Sequence, residues 1–331
     1  MKAAEPENRL TVFGPVPSRR LGRSLGINNI PPKTCSYSCV YCQLGRTDKM
    51  LIQRSGFFSA QEVQAVVGER IRKSDEDGEP IEFLTFVPDG EPTLDANLGE
   101  SLRALRSTGK PTAVITNASL LWMPEVRDAL QEANWVSLKV DSVHEATWRR
   151  IDRPHKGLSL NRILDGVLAF ARTFRGHLAT ETMLVRGIND SSSELQDIAA
   201  FIGSLNPATA YILAPTRPPA EHWVELPTIS ARVEAHEEFS RRVRHVELLA
   251  EYEGNAFAAN PDVEQNILDT TSVHPMREEA VKHVLEKSGA NWNVVEQLVA
   301  KGLVDELQYH GHVFYVRRLP GRNTRSKRGS A

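Results

Sequence analysis

Residues 35–42 read Cys35-Ser-Tyr-Ser-Cys39-Val-Tyr-Cys42, and they hold every cysteine of the 331-residue chain. Random placement of three cysteines in a chain this long gives that spacing roughly once in twenty thousand trials, so the clustering needs a chemical reason. Soft thiolates select zinc, Cu(I) or an iron–sulfur cluster. Structural zinc takes four protein ligands, and the next histidine, His144, lies about a hundred residues further on. An ordinary ferredoxin cluster also takes four cysteines. Three thiolates on one loop suit a 4Fe–4S cluster with one iron left open. A zinc loop, or three buried small residues, are the plainer alternatives.

Around this loop, strand patterns alternate with helix patterns, which is the signature of a parallel α/β sheet. The strand patterns fall at 24–30, 81–87, 112–117, 135–141, 178–185 and 209–214. Ser59-Ala-Gln-Glu62 has the spacing of a capping box and opens the first helix. Residues 94–107 carry Leu94, Leu98, Leu102 and Leu105 at helical spacing. Further helices are expected over 123–132, 161–174, 194–204 and 230–243. A strand at 246–249 would close the domain. Six βα units are fewer than the eight of a closed TIM barrel. The expected fold is therefore an open, (β/α)6-type partial barrel over residues 1–255. The cysteine loop follows its first strand, at the end where such barrels place their chemistry.

A second module is expected over 260–318. Helices are predicted at 262–269, 276–286 and 291–300, with a hairpin from 304–308 and 313–317 around a turn at 309–312. Asn293-Val-Val-Glu296 has capping-box spacing, and Gly302 is placed just past the helix end. Three helices and a hairpin resemble a winged helix. Residues 319–331 have no large apolar residue after Leu319 and read as a disordered tail.

C-x3-C-x2-C with an aromatic, Tyr41, before the last cysteine resembles the signature of radical S-adenosylmethionine enzymes. The context FGPVPSRRLGRSLGINNIPPKTCSYSCVYCQLG resembles the wyosine-synthase-like branch. The resemblance covers about residues 10–250. It implies that Cys35, Cys39 and Cys42 hold three irons of one 4Fe–4S cluster, while the open iron takes S-adenosylmethionine. It also implies a reductant such as flavodoxin or ferredoxin. The outcome is a 5′-deoxyadenosyl radical that abstracts hydrogen from a substrate.

The same resemblance assigns further residues to the cofactor. Tyr41 would lie against adenine or simply pack beside the cluster. Asp89-Gly90-Glu91-Pro92 resembles the family's Gly-Gly-Glu motif for the methionine ammonium group, with Asp89 in place of the first glycine. The third strand ends in Thr116-Asn117, which puts Asn117 at the barrel mouth. In the fourth, Val136, Leu138 and Val140 alternate with Ser137, Lys139 and Asp141, which then point inward. The family uses polar residues there for ribose and methionine carboxylate; a structural ion pair is the alternative. Thr182 or Met183, and Leu213, are candidates for the adenine pocket. Arg19, Arg20 and Arg23 would bind an anion or stay solvated. His222 and Trp223, in a Pro-rich loop at 215–227, would touch substrate or stiffen the loop. No catalytic residue is assigned.

Composition bounds the remaining choices. Apolar residues at 40% and a net charge of −2 describe an ordinary globular protein. No run approaches a membrane span, and MKAAEPENRL is no secretory signal, so a cytoplasmic protein is expected. With no cysteine to spare, a second cluster is excluded; the resembled wyosine synthase uses additional cysteines, so its reaction is not transferred here, and methylthiolation is disfavoured for the same reason. The last sixteen residues carry six cations (Arg317, Arg318, Arg322, Arg325, Lys327, Arg328) and no anion. The expected third helix of the module carries only Glu296 and Lys301, a poor phosphate-binding face. An RNA base is the leading substrate, bound through the tail and the winged helix. A protein or peptide substrate is the second reading, and a non-catalytic iron–sulfur regulator of nucleic acid the third.

Overall fold

A computed structural model describes residues 10–250, 254, 255, 257 and 262–318. Strands β1 (Thr11–Ser18) and β2 (Gly22–Asn28) form an antiparallel hairpin. The two-residue strands β3 (Thr34–Cys35) and β4 (Lys49–Met50) bracket the cysteine loop and pair in parallel. Then α1 (Ala60–Glu76) precedes β5 (Phe83–Phe86), α2 (Leu98–Leu105) precedes β6 (Thr112–Thr116), and α3 (Pro124–Leu130) precedes β7 (Trp135–Lys139). Helices α4 (Glu145–Ile151) and α5 (Leu160–Thr173) lead to β8 (His177–Met183). After them come α6 (Ser192–Leu205), β9 (Thr209–Leu213), α7 (Ile229–Ser240) and β10 (Val246–Leu249).

The sheet runs β1-β2-β5-β6-β7-β8-β9-β10. From β2 to β10 every neighbouring pair is parallel. All six expected strands are present, and β10 makes seven parallel strands. The result is an open α/β sheet with helices packed on one face. Leu25, Leu84, Val114, Val136 and Leu178 bury that face against Val67, Leu102, Leu130 and Val167. No helix among the described residues is long and apolar enough to cross a membrane.

Three local expectations are corrected. Residues 94–107 do not form one helix: Pro92–Leu94 is a 3-10 turn, and α2 starts only at Leu98. Asp95 breaks the run, because its buried carboxylate accepts from the Asn97 N–H at 2.9 Å and from Asn29 Nδ2 at 3.1 Å. Ser59 does cap α1, accepting from the Glu62 N–H at 3.2 Å. By contrast Asn293 caps nothing; its own N–H donates to Asn291 Oδ1 at 3.0 Å.

Beyond the sheet lie α8 (Val263–Val273), β11 (Met276–Arg277), α9 (Glu278–Ser288), α10 (Asn293–Ala300), β12 (Val304–Tyr309) and β13 (His312–Arg317). The third correction is here: Met276 and Arg277 belong to a strand rather than to the helix that follows. They pair with Tyr315 and Phe314 in the small sheet β11-β13-β12. His310 and Gly311 make the hairpin turn, both with positive φ, as a two-residue type I′ turn needs. The tail at 319–331, and the cations expected there, lie outside the described residues.

Candidate active site

The C-terminal ends of the parallel strands surround a cavity of about 340 Å³. All three thiols line it. Their loop is held at both ends and in the middle. Leu51 N–H donates to Cys35 O at 3.0 Å, and Gly45 N–H to Cys42 O at 3.0 Å. Val40 N–H donates to Ile151 O at 2.9 Å and Ser38 N–H to Asp152 O at 3.0 Å, which fastens the loop to the end of α4. The Lys33 ammonium is buried and donates to Leu44 O at 2.5 Å.

Burial pushes the Cys35 thiol up to about 12, with the nearby Glu91 carboxylate adding to it. Burial and then Asp152 hold Cys39 well above its usual range; its Sγ lies 3.2 Å from Asp152 Oδ1. Such thiols keep their protons until a metal displaces them. Among the described residues, no three His, Cys, Asp or Glu side chains are grouped to hold a single ion. Soft sulfur donors spread around one cavity fit a cluster of several irons better than a mononuclear centre.

Asp89 and Glu91 both line the cavity and are both buried, but they differ sharply. Glu91 is saturated. Its Oε1 accepts from Thr93 N–H (3.0 Å), Thr93 Oγ1 (2.5 Å) and Thr116 Oγ1 (2.6 Å), and its Oε2 from Asn117 N–H (2.8 Å). Asp89 Oδ1 accepts from Asn28 Nδ2 at 3.2 Å, whereas Oδ2 has no hydrogen-bond partner. Burial raises Asp89 to about 6, against the pull of Asn28 and Lys33. A buried carboxylate oxygen left bare costs about 1–3 kcal/mol or more, unless a ligand supplies the donor. The ammonium group of an amino acid is such a ligand, and the residues present fit the methionine end of S-adenosylmethionine. Between them, Gly90 lies so close to the strand before the cysteines that an added Cβ would fall 1.9 Å from Thr34 O.

Asn117 lines the cavity and donates to Ser36 Oγ at 2.9 Å, with Cys35 Sγ at 3.6 Å. Tyr41 also lines it, its hydroxyl donating to Asp141 and lying 3.3 Å from Asp152 Oδ1. Lys139 Nζ sits 5.2 Å from the centre of the Tyr41 ring and 3.8 Å from Glu181 Oε2. Burial opposes the lysine's charge, but Asp141 and Glu181 outweigh it and hold Lys139 above its usual value. Ser137 and Asp141 are not among the lining residues. Ser137 Oγ donates to Glu181 Oε1 at 2.9 Å, and Asp141 Oδ1 accepts from Met183 N–H at 2.7 Å.

Met183 and Leu213 line the cavity; Thr182 does not, and donates instead to Val140 O at 2.8 Å. Arg19 and Arg20 line it, whereas Arg23 turns away to Pro80 O and Glu79. His222 and Trp223 are absent from its walls; Pro215, Thr216 and Arg217 of the same loop are present. Their neighbour Glu221 is held by Arg46 and Arg153.

Glu181, Lys33 and His274 are among the lining residues that escaped the sequence reading. Glu181, on β8, pairs with Arg20 and Lys139. An acid inside an apolar strand was the available signal. Lys33 precedes the cysteines in a left-handed conformation, φ 58°. His274 comes from the end of α8, far along the chain, and no local pattern marks it. The C-terminal elements reach the mouth directly: Gln43 Nε2 donates to Val273 O at 2.8 Å, and Tyr309 OH to Pro215 O at 2.7 Å.

Residues 29–202 match the sequence profile of the radical SAM superfamily. A UPF0026 protein of Methanocaldococcus jannaschii is 45% identical over 313 residues, 94% of this chain and 97% of that protein. A radical SAM methyltransferase from Sphaerobacter thermophilus shares the fold with a TM-score of 0.53 at 14% identity, over 69% of this chain and 66% of that one. Streptococcus suis SuiB, solved with S-adenosylmethionine bound, gives 0.51 at 11% identity, over 68% of this chain and 50% of that one. The profile covers more than half of the sequence, cysteine loop included, and the parallel sheet carries that loop where the chemistry belongs: the chain belongs to the radical SAM superfamily, enzymes that bind a 4Fe–4S cluster and S-adenosylmethionine.

Proposed function

We propose that Cys35, Cys39 and Cys42 hold the cluster, and that the cavity beside them binds S-adenosylmethionine and a substrate hydrogen donor. When bound, the cofactors supply one-electron cleavage to a 5′-deoxyadenosyl radical; the protein supplies position and dryness. The bare Asp89 Oδ2 in the wall that holds the thiols carries this reading. It accepts the methionine ammonium, and the cationic Lys139 faces the methionine carboxylate. Asn117 and Glu91 fix the end of β6 against Cys35. Tyr41, braced by Asp141, forms a rigid wall for adenine, with Met183 and Leu213 beside it. An external electron donor completes the system.

The elements from α8 to β13 form a winged-helix module on this reading, supported by three helices and the sheet β11-β13-β12. The substrate is an RNA base, supported by the six cations near the C-terminus. Of these, Arg318 is committed to Asp305 within the module, and Arg317 lies in β13. The other four lie beyond the described residues. Anaerobic reconstitution tests the chemistry: about four irons per chain and release of 5′-deoxyadenosine under reduction are expected. Zinc uptake without iron, or no cleavage by the reconstituted protein, would overturn it.

A further inference from the structure

The thiols of the cysteine loop line the cavity, while the backbone of the loop is flanked by two surface segments. Residues 44–53 supply β4, where Met50 is the register partner of Cys35 and the Leu51 N–H donates to Cys35 O. Residues 153–157 follow α4. Pro154 bridges to Tyr37, and the His155 N–H donates to Ser36 O at 2.9 Å. A single strand spacing, about 5 Å, separates the Cys35 backbone from β4.

The two segments join into one patch. Arg46 of the first and Arg153 of the second share the Glu221 carboxylate. A Cβ on Gly157 would fall 2.9 Å from Ile52 Cδ1, so the segments meet there as well. The charges of the patch are Arg46, Lys49, Arg153 and Lys156 against Asp48 and Glu221, four positive and two negative, or +2. Arg46, Asp48, Lys49 and Lys156 are exposed. The whole chain carries −2, but screening beyond about 8 Å at physiological salt makes a partner at this surface feel the patch rather than the total. Among these cations Leu51 is 39% exposed, a large apolar side chain directly after the residue paired with Cys35.

We propose that this patch docks an acidic one-electron carrier protein, the donor that reduces the cluster. The proposal rests on the proposed function, which requires an external donor. With the cavity given to S-adenosylmethionine and substrate, the flanking segments are the donor's approach to the cysteines. A polar rim around an apolar centre is the anatomy of a protein–protein interface, whereas an apolar centre adds nothing to contacts with an RNA phosphate backbone. One electron leaves the carrier, which is oxidised, and arrives at the thiolate-held cluster, which is reduced; no bond forms or breaks.

The test uses the reconstituted full chain with an acidic flavodoxin as the probe. Calorimetric titration at two salt concentrations reads binding. S-adenosylmethionine cleavage is then driven either by the reduced flavodoxin or by dithionite, a small reductant that needs no docking surface. The wild type should bind one flavodoxin per chain, more weakly as salt rises. Lys49→Glu with Lys156→Glu reverses two charges, takes the patch from +2 to −2, and should weaken binding at least about tenfold. Leu51→Ser should weaken it by a smaller factor. Both variants should bind S-adenosylmethionine and cleave it under dithionite as the wild type does, and lag only with flavodoxin. Lys156 is exposed in a turn, so Lys156→Glu alone reads the patch if the double variant misfolds. No flavodoxin binding, binding that the variants retain, or equal slowing under dithionite would overturn the docking surface. An RNA oligonucleotide that displaces the flavodoxin, or a dimer of the chain that the double variant breaks, would assign the patch to another partner and overturn it equally. A wild type that binds flavodoxin but releases no 5′-deoxyadenosine even under dithionite would instead sink the proposed function.

Discussion

Gly90→Ala is the substitution for which the structure gives the most definite geometry. The new Cβ would lie 1.9 Å from Thr34 O, 2.8 Å from Thr34 C and 2.6 Å from Ile30 Cδ1. The isoleucine tip can turn aside. The carbonyl cannot: it accepts from Glu91 N–H at 3.1 Å, and Thr34 pairs with Lys49 across β3 and β4. Restoring an ordinary contact of 3.4 Å requires a shift of about 1.5 Å between the Asp89–Glu91 turn and the strand carrying Cys35. One backbone hydrogen bond is lost, about 1 kcal/mol. Forced overpacking adds about 1–3 kcal/mol. Displacing a reacting group by about 1 Å costs on the order of a hundredfold in rate. The variant should melt several degrees lower, retain less iron after reconstitution, and cleave S-adenosylmethionine about a hundredfold more slowly. Iron analysis, melting and 5′-deoxyadenosine release measure the three effects. A variant that holds four irons and cleaves at the wild-type rate would refute the claim that this turn sets the position of the cysteine strand.

Asp89→Asn removes the charge that faces the ammonium, and S-adenosylmethionine binding measured by equilibrium dialysis should weaken tenfold or more while iron content stays unchanged. Because Asp89 titrates near 6, wild-type affinity should fall as pH drops below about 6, and the Asn variant should lack that step; a parallel profile in both would exclude Asp89. The sign for stability is opposite: with a folded pKa above the unfolded 3.8, Asp89 favours the folded state below about pH 4 and loses that contribution as pH rises through 6. Glu91→Ala strands four donors and should destabilise the fold by about 3–5 kcal/mol, which melting would show; a wild-type melting temperature refutes its role as a brace. Truncation after Arg318 removes four cations and should flatten the log–log salt dependence of RNA binding by about 3, at −0.7 per phosphate neutralised, with an unchanged slope excluding the tail.

Much of the sheet was legible because its strands are apolar runs bounded by turn residues, as strands buried on both faces must be. Strand β1 was not. Gly14, Pro15 and Pro17 read as breakers, yet β1 is an edge strand with a bulge between Phe13 and Val16, where prolines are tolerated. Helix α4 has only seven residues, too few for a periodic signal, and is fixed instead by Trp148 buried against Tyr37. The thiols were legible because their chemistry is local. Arg19 and Arg20 were marked as anion candidates, but Arg217 and His274, which line the same cavity, come from distant segments and join them only through folding. Alternation along β7 placed Ser137, Lys139 and Asp141 on one face, but only Lys139 reaches the cavity. Ser137 is covered by Glu181, and Asp141 lies past the strand end beneath Tyr41.

The contrast between Asp89 and Glu91 decides how the turn between them works. In the sequence Glu91 is the natural partner for an ammonium group, and Asp89 is the anomaly. The hydrogen bonds reverse that order. An ammonium at Glu91 would meet three donors already on Oε1 and the Asn117 N–H on Oε2, and each charge-assisted bond it displaced would forfeit about 1.5–3 kcal/mol. At Asp89 Oδ2 it would displace none. Burial pushes both carboxylates up, but only Asp89 has an oxygen left without a hydrogen bond. Under the proposed function, then, Glu91 is the brace that joins the turn to β6 and Asn117. Gly90 is the gap that lets the cysteine strand close on it, and Asp89 is the contact with the cofactor. On that reading the acid in place of the first glycine adds a second carboxylate to the turn, so that one braces the structure while the other faces the cofactor.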